Sequence, residues 1–226
     1  MKKLMMVAMA LIVACSACLA VDKAELKQIR SERQLIRKMA KKELKEKVSK
    51  DAKKQARKLA KAGWMVSPGA IPLEKQLDKS FLMQYEFDEN LFPKYIMAEA
   101  QSVGGNYDAA KTSAISLAIT NLAAQIQTEV TALVENTVAN NQLEAGDAAS
   151  ITETVMSSKN LISQSMGRTI PVVECYRDLK NGNKEVLVRL AYNGDMAKEA
   201  AKKAVRAELE KKGGKLHEEL DKVLGF

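Results

Sequence analysis

From Ile115 to Val138 apolar residues return every three to four positions: Ile115, Ile119, Leu122, Ile126, Val130, Leu133 and Val138 share one stripe, while Ser116, Thr120, Gln127, Thr131 and Glu135 face elsewhere. That period predicts an amphipathic helix of roughly 30 residues, ~45 Å long. Upstream, Tyr95 to Val103 alternates with period two, setting Ile96, Ala98 and Ala100 on one face of a predicted strand. Gly104-Gly105-Asn106 closes that strand and offers Asn106 as the cap of the long helix. Neither a dinucleotide fingerprint nor a Walker-type Gly-Lys-Ser/Thr accompanies the glycine pair, so it reads as a strand-to-helix turn.

A polar break from Asn140 to Gly146 separates the long helix from a second, whose start reads as a capping box, Ser150 to Glu153, with Ile151, Val155 and Ile162 facing inward. Ile170 to Leu179 and Glu185 to Tyr192 flank Asn181-Gly182, a hairpin signal. On the second of these strands Val186, Val188, Leu190 and Tyr192 alternate with Glu185, Leu187 and Arg189. Asp195 caps an Ala-rich helix running to about Lys212, and Leu216, Leu220 and Leu224 belong to a last short helix. The order implies an α+β domain: a small, mostly antiparallel sheet of about three strands with long helices packed on one face.

Residues 21–62 differ in character. They carry 16 Lys and Arg against 6 Asp and Glu, with no Pro and no Gly before Gly63. Lys, Glu, Ala, Gln and Leu dominate, all strong helix formers, so the segment reads as one long basic amphipathic helix. Its apolar residues, Leu26, Ile29, Ile36, Ala40, Leu44, Val48, Ala52, Ala56 and Ala60, fall largely at four-residue steps and make a narrow stripe that drifts around the axis. Gly63 ends the helix, Pro68-Gly69 marks a turn, and Trp64, the single tryptophan, is expected to pack the helix end onto the body. Pro72 suits the first position of a short helix with Leu73, Leu77 and Phe81 on one side. The stretch Gln84 to Pro93 reads as a solvated loop whose acids Glu86, Asp88 and Glu89 lack EF-hand spacing.

The first twenty residues look like an export signal. Lys2 and Lys3 precede an uncharged apolar run, Leu4 to Ala14, too short to span ~30 Å of hydrocarbon and suited to a secretory h-region. Two cleavage sites compete. Ile12-Val13-Ala14-Cys15 resembles a bacterial lipobox in which Cys15 would carry the lipid, and Cys18-Leu19-Ala20 offers small residues to an ordinary signal peptidase. The organisation is therefore residues 1–20 signal, 21–62 basic helix and 63–226 folded domain.

The chain has 226 residues and a formal net charge of +8. The 21–62 segment alone contributes +10, whereas residues 63–226, with 18 basic and 22 acidic side chains, are slightly acidic. Three Cys cannot build a disulfide framework and one His excludes a His-rich metal site. Aromatic residues at 4% point to an aliphatic, Ala-rich core. Collagen, knottin, zinc-finger and polytopic membrane classes are excluded. A basic stretch usually suggests nucleic acid, but export takes the chain away from it. Attraction to an anionic membrane or an envelope protein is the functional reading, against that of a solvated spacer, with Lys38, Lys41, Lys42, Lys45, Lys53, Lys54, Arg57 and Lys58 as contact candidates.

The strand with Ala98-Glu-Ala100, the helix with Ala109-Ala110, Ala114, Ala118, Asn121-Leu122-Ala123 and Ile126-Gln-Thr-Glu-Val130, and the hairpin strand Val186-Leu-Val-Arg-Leu190 resemble the LPP20-type envelope lipoproteins and the related N-terminal domain of flagellar assembly protein T. They are similar also to uncharacterised exported proteins of Bacteroides-type bacteria. The resemblance covers about residues 94–205. It implies a non-enzymatic lipoprotein of the periplasm or outer membrane, with a structural or assembly-accessory role and no cofactor.

The residues supply no catalytic frame. His217 lies beside Glu218 and Glu219 and has no second His to form a ligand set. Cys175 falls mid-strand in an apolar run and reads as a buried, inert thiol. Ser157, Ser158, Ser163 and Ser165 have no nucleophile-elbow context. The expected partners are an envelope membrane, an envelope protein or a second copy of the chain, with no nucleic acid. The alternative is a periplasmic small-ligand-binding module using a groove between the sheet and the long helix.

Overall fold

A computed structural model describes residues 23–88, 93–139 and 145–212. The predicted signal with Cys15 and Cys18, Glu89 of the acidic loop, and the final helix with His217 lie outside the described residues. The chain divides into two compact units at Lys47/Val48. In the first, Lys23–Lys45 form helix α1. The second contains α2 (Lys50–Lys61), α3 (Leu73–Gln84), β1 (Tyr95–Gly104), α4 (Tyr107–Ala139), α5 (Ala145–Ser157), α6 (Lys159–Ser165), β2 (Ile170–Asp178), β3 (Lys184–Asn193) and α7 (Gly194–Lys212).

The basic segment is thus not the single helix over 21–62 that its composition predicts. It breaks after Lys45 and restarts at Lys50. Ser49 takes an extended conformation and its hydroxyl accepts from the Ala52 N–H at 3.3 Å, while its own N–H donates to Asp78 Oδ1 at 3.0 Å. Val48 is buried beside it. An N-cap that satisfies an orphan amide, an acid in the first turn (Asp51) and a buried valine together outweigh continuation of the helix.

The three strands form an antiparallel sheet in the order β1-β3-β2. The β2–β3 connection is a turn over Leu179–Gly182. Gly182 N–H donates to Leu179 O at 3.0 Å, and Gly182 at φ +83° supplies the left-handed residue that lets Leu179 pair with Asn183. Ile96 faces Tyr192, Ala98 faces Leu190 and Ala100 faces Val188 across β1 and β3. These residues join Val186 and the inner faces of α4, α5, α6 and α7 in the main core. The long helices therefore cover one face, as the α+β reading requires.

The buried line of α4 is Ala110, Ala114, Ala118, Leu122, Ala123, Ile126, Val130 and Val134, while Ile115, Ile119 and Leu133 are only partly covered. Alanines at four-residue steps let α4 lie close over Ala98 and Ala100. The approach is tight enough that a Cβ on Gly104 would stand 2.6 Å from the Ala110 nitrogen. Asn106 caps α4 as expected, its Oδ1 accepting from Ala109 N–H at 2.9 Å. These side chains pack with the sheet face in the main core, on the side where the sequence suggests a ligand groove.

Two expected caps are corrected. Because α5 begins at Ala145, Ser150 and Glu153 stand inside it, and the Ser150 hydroxyl donates to Gly146 O at 3.2 Å. At the start of α7 the cap is Asn193, whose Oδ1 accepts from Met196 N–H at 3.0 Å, and Asp195 sits in the first turn. Pro72 likewise occupies the N-cap of α3 rather than its first helical position.

The opposite sheet face is covered as well. Val173, Cys175 and Leu187 pack with Val48, Ala52, Trp64 and Leu77, so α2 and α3 form a second layer. A bulge between Pro171 and Val173 lets Val172 join Ala191 and Met83 on this same side. Arg189 ties three elements together here, donating to Glu99 Oε2 at 2.7 and 3.0 Å and to the buried Ser80 hydroxyl at 2.8 Å.

Candidate cationic docking surfaces

On α1, nine basic residues accompany three acidic ones over 23 positions. At 100° per residue Lys38, Lys41, Lys42 and Lys45 share one side, Ile29, Ile36 and Met39 lie on the other with Glu32 between Ile36 and Met39, and Leu35 stands at the border beside Lys42. Leu35, Ile36 and Met39 are 59%, 64% and 59% exposed. Four of the predicted contact lysines therefore lie on a helix that also exposes three large apolar side chains.

The other four, Lys53, Lys54, Arg57 and Lys58, lie on α2 in the second unit. They are joined by two that composition alone did not single out, Lys50 and Lys61. All six line one open depression on the outer surface of α2. Their spacing is i, i+3, i+4, i+7, i+8 and i+11, which places them on one face. Once Ser49 is recognised as a cap, that spacing is legible from Lys50 onward. Without the break, it merges into a single drifting stripe. Among the described residues none of the six forms an ion pair with an acid.

The orientation of α2 is set from beneath. Ala52 is fully buried, Ala56 and Leu59 pack beside it, and Trp64 closes the far end against the sheet. Arg177 of β2 holds that end: its guanidinium lies 4.8 Å from the centre of the Trp64 ring, donates to Ala62 O at 3.3 Å and pairs with Glu185 at 2.6 Å. Trp64 thus packs the helix end onto the body, as expected from its place at the junction. On the far edge of β2, Glu174 accepts from Lys111 at 2.8 Å and from Tyr107, whose hydroxyl in turn accepts from Ser67 at 3.0 Å. This fastens the loop after α2 to the start of α4.

Cys175 is buried beneath α2 and α3, and burial pushes its thiol up to about 12, with Glu99 and Glu174 adding to the shift. No group of three or more His, Cys, Asp or Glu side chains stands together among the described residues. No helix among them is long and apolar enough to cross a membrane. Comparisons with protein-family models, with curated proteins and with solved structures gave no match for this chain.

Proposed function

We propose that this is an exported, non-enzymatic protein of the bacterial cell envelope with a structural or assembly-accessory role, held on an anionic membrane surface through α1. It is a lipoprotein if Cys15 is the modified residue. The observation that carries the reading is the surplus of nine basic over three acidic residues on α1, with Lys38, Lys41, Lys42 and Lys45 on one side and Leu35, Ile36 and Met39 open on the same helix. A cationic helix with open Leu, Ile and Met side chains lies in the interface plane, those side chains reaching ~5–10 Å into the boundary and its cations among headgroups. Each buried Leu, Ile or Met contributes ~1.5–3 kcal/mol and each Lys or Arg near an anionic leaflet ~1 kcal/mol. Self-association of α1 as a coiled coil is disfavoured by its own charge, since nine cations against three anions repel a second copy.

The test is sedimentation of residues 21–226 with vesicles of phosphatidylglycerol and phosphatidylcholine. The parent binds and the double variant Ile36→Asp/Met39→Asp binds far more weakly. Equal sedimentation of the two removes α1 from the account.

A further inference from the structure

We infer that α2 is a second, non-inserting membrane contact, which turns the α2/α3 side of the folded domain toward the anionic bilayer and the α4–α7 side away from it. This rests on the membrane reading of α1 and extends it to the domain that follows.

The two sides differ sharply in charge. The helices of the α2/α3 side carry eight basic residues and three acidic, six of the basic ones on α2. The helices of the other face, α4 to α7, carry eight basic and nine acidic together. Such an asymmetric body turns its cationic side toward an anionic plane. The cations are also held outward: Ala52, Ala56, Leu59 and Trp64 fix the opposite side of α2 in the second core, and the Ser49 cap and the Arg177 contact fix its two ends. The helix therefore cannot roll to hide them.

The shape of the surface selects the occupant. The six cations run straight along ~18 Å of one helix. No aromatic ring lies among them for a base or sugar to stack on, and no second element contributes a wall to the depression. A flat array of lipid phosphates matches that geometry better than an enclosed polyanion does. With no apolar residue among the lining side chains, the contact is coulombic and is screened within a Debye length, ~10 Å at 0.1 M salt.

The experiment uses residues 21–226 of the parent, of Lys54→Gln/Arg57→Gln/Lys61→Gln and of Ile36→Asp/Met39→Asp, with vesicles containing a headgroup-nitroxide lipid. Trp64 is packed beneath the end of α2 and is the only tryptophan in the chain, so its quenching reports whether the α2/α3 side of the domain comes within reach of the headgroup label. Neutralising three charges weakens binding about a hundredfold and removes the quenching from whatever protein remains bound, while helix content and Trp64 emission in solution stay unchanged. The α1 variant keeps Trp64 quenching at low salt. Loss of all binding in the α1 variant, together with an α2 variant that binds and quenches like the parent, overturns the α2 contact and leaves the α1 reading standing. A parent that binds neither anionic nor neutral vesicles overturns both. Binding of the parent to a soluble polyanion in preference to vesicles, lost in the α2 variant, overturns the lipid assignment.

Discussion

Arg177 lies over Trp64 with its guanidinium 4.8 Å from the ring centre, and through that contact the edge strand β2 grips the end of α2. The same guanidinium reaches the Ala62 carbonyl, one of the orphan acceptors at the helix C-terminus. Both contacts are partly open to water, which moderates their strength.

Arg177→Ala removes a cation–π contact, a helix-end hydrogen bond and the partner of Glu185. The expected cost is about 1–2 kcal/mol, with a red shift of the Trp64 emission as the α2 end loosens. Denaturant unfolding followed by tryptophan fluorescence measures both. An unchanged midpoint and spectrum would mean that the apolar packing alone seats α2.

Gly104 and Gly105 are adjacent but should respond differently to the same change. A methyl on Gly104 meets the Ala110 backbone nitrogen at 2.6 Å, whereas one on Gly105 meets nothing within 4 Å. Gly104→Ala is expected to lower stability by about 1–3 kcal/mol as α4 is pushed off β1, and Gly105→Ala to leave it nearly unchanged. The denaturant midpoint at constant slope is the measurement. Equal effects of the two would contradict the close approach of α4.

The Cys175 thiol, pushed up to about 12 by burial, stays protonated in the folded chain across the neutral and mildly alkaline range. In the unfolded chain it ionises near 8.5. Below that value it adds no pH dependence. Above it the unfolded state alone releases a proton, so stability falls as pH rises toward 12. At pH 10 the parent should have lost about 2 kcal/mol more, relative to pH 7, than Cys175→Ala. Alkylation of the Cys175 peptide at pH 8, followed by mass spectrometry, should be slow until denaturant is added. Rapid labelling of the native protein would show that the strand opens locally.

Much of the domain was legible because its signals are local. The alternation of Ile96, Ala98 and Ala100, the Asn106 cap and the Asn181-Gly182 turn are each decided by residues within a few positions. What failed was decided by distant partners. The break at Ser49 depends on Asp78, 29 residues away, and on a pocket for Val48 that exists only once α3 and β2 have met. The largest residues of α4 dominate its sequence period, yet the side against the sheet is the alanine side, because close approach of backbone to backbone favours small side chains there. Ser150 shows the same limit in another form, a capping pattern overridden by a helix already begun at Ala145.

The eight predicted contact residues divide between two helices. Residue type over 21–62 makes Lys38 and Lys58 alike, whereas the break before Ser49 puts them in different units, one on a helix that also exposes leucine, isoleucine and methionine, the other on a face whose reverse is anchored in the core.

Fractionation of cells that make the protein tests most directly where it lives, with the N-terminus of the recovered chain read by mass spectrometry. The expected result is a processed chain, beginning at Cys15 or Val21, in the envelope fraction and released from it only when the anionic surface is competed or dissolved. An unprocessed chain beginning at Met1 and free in the cytosol would contradict it.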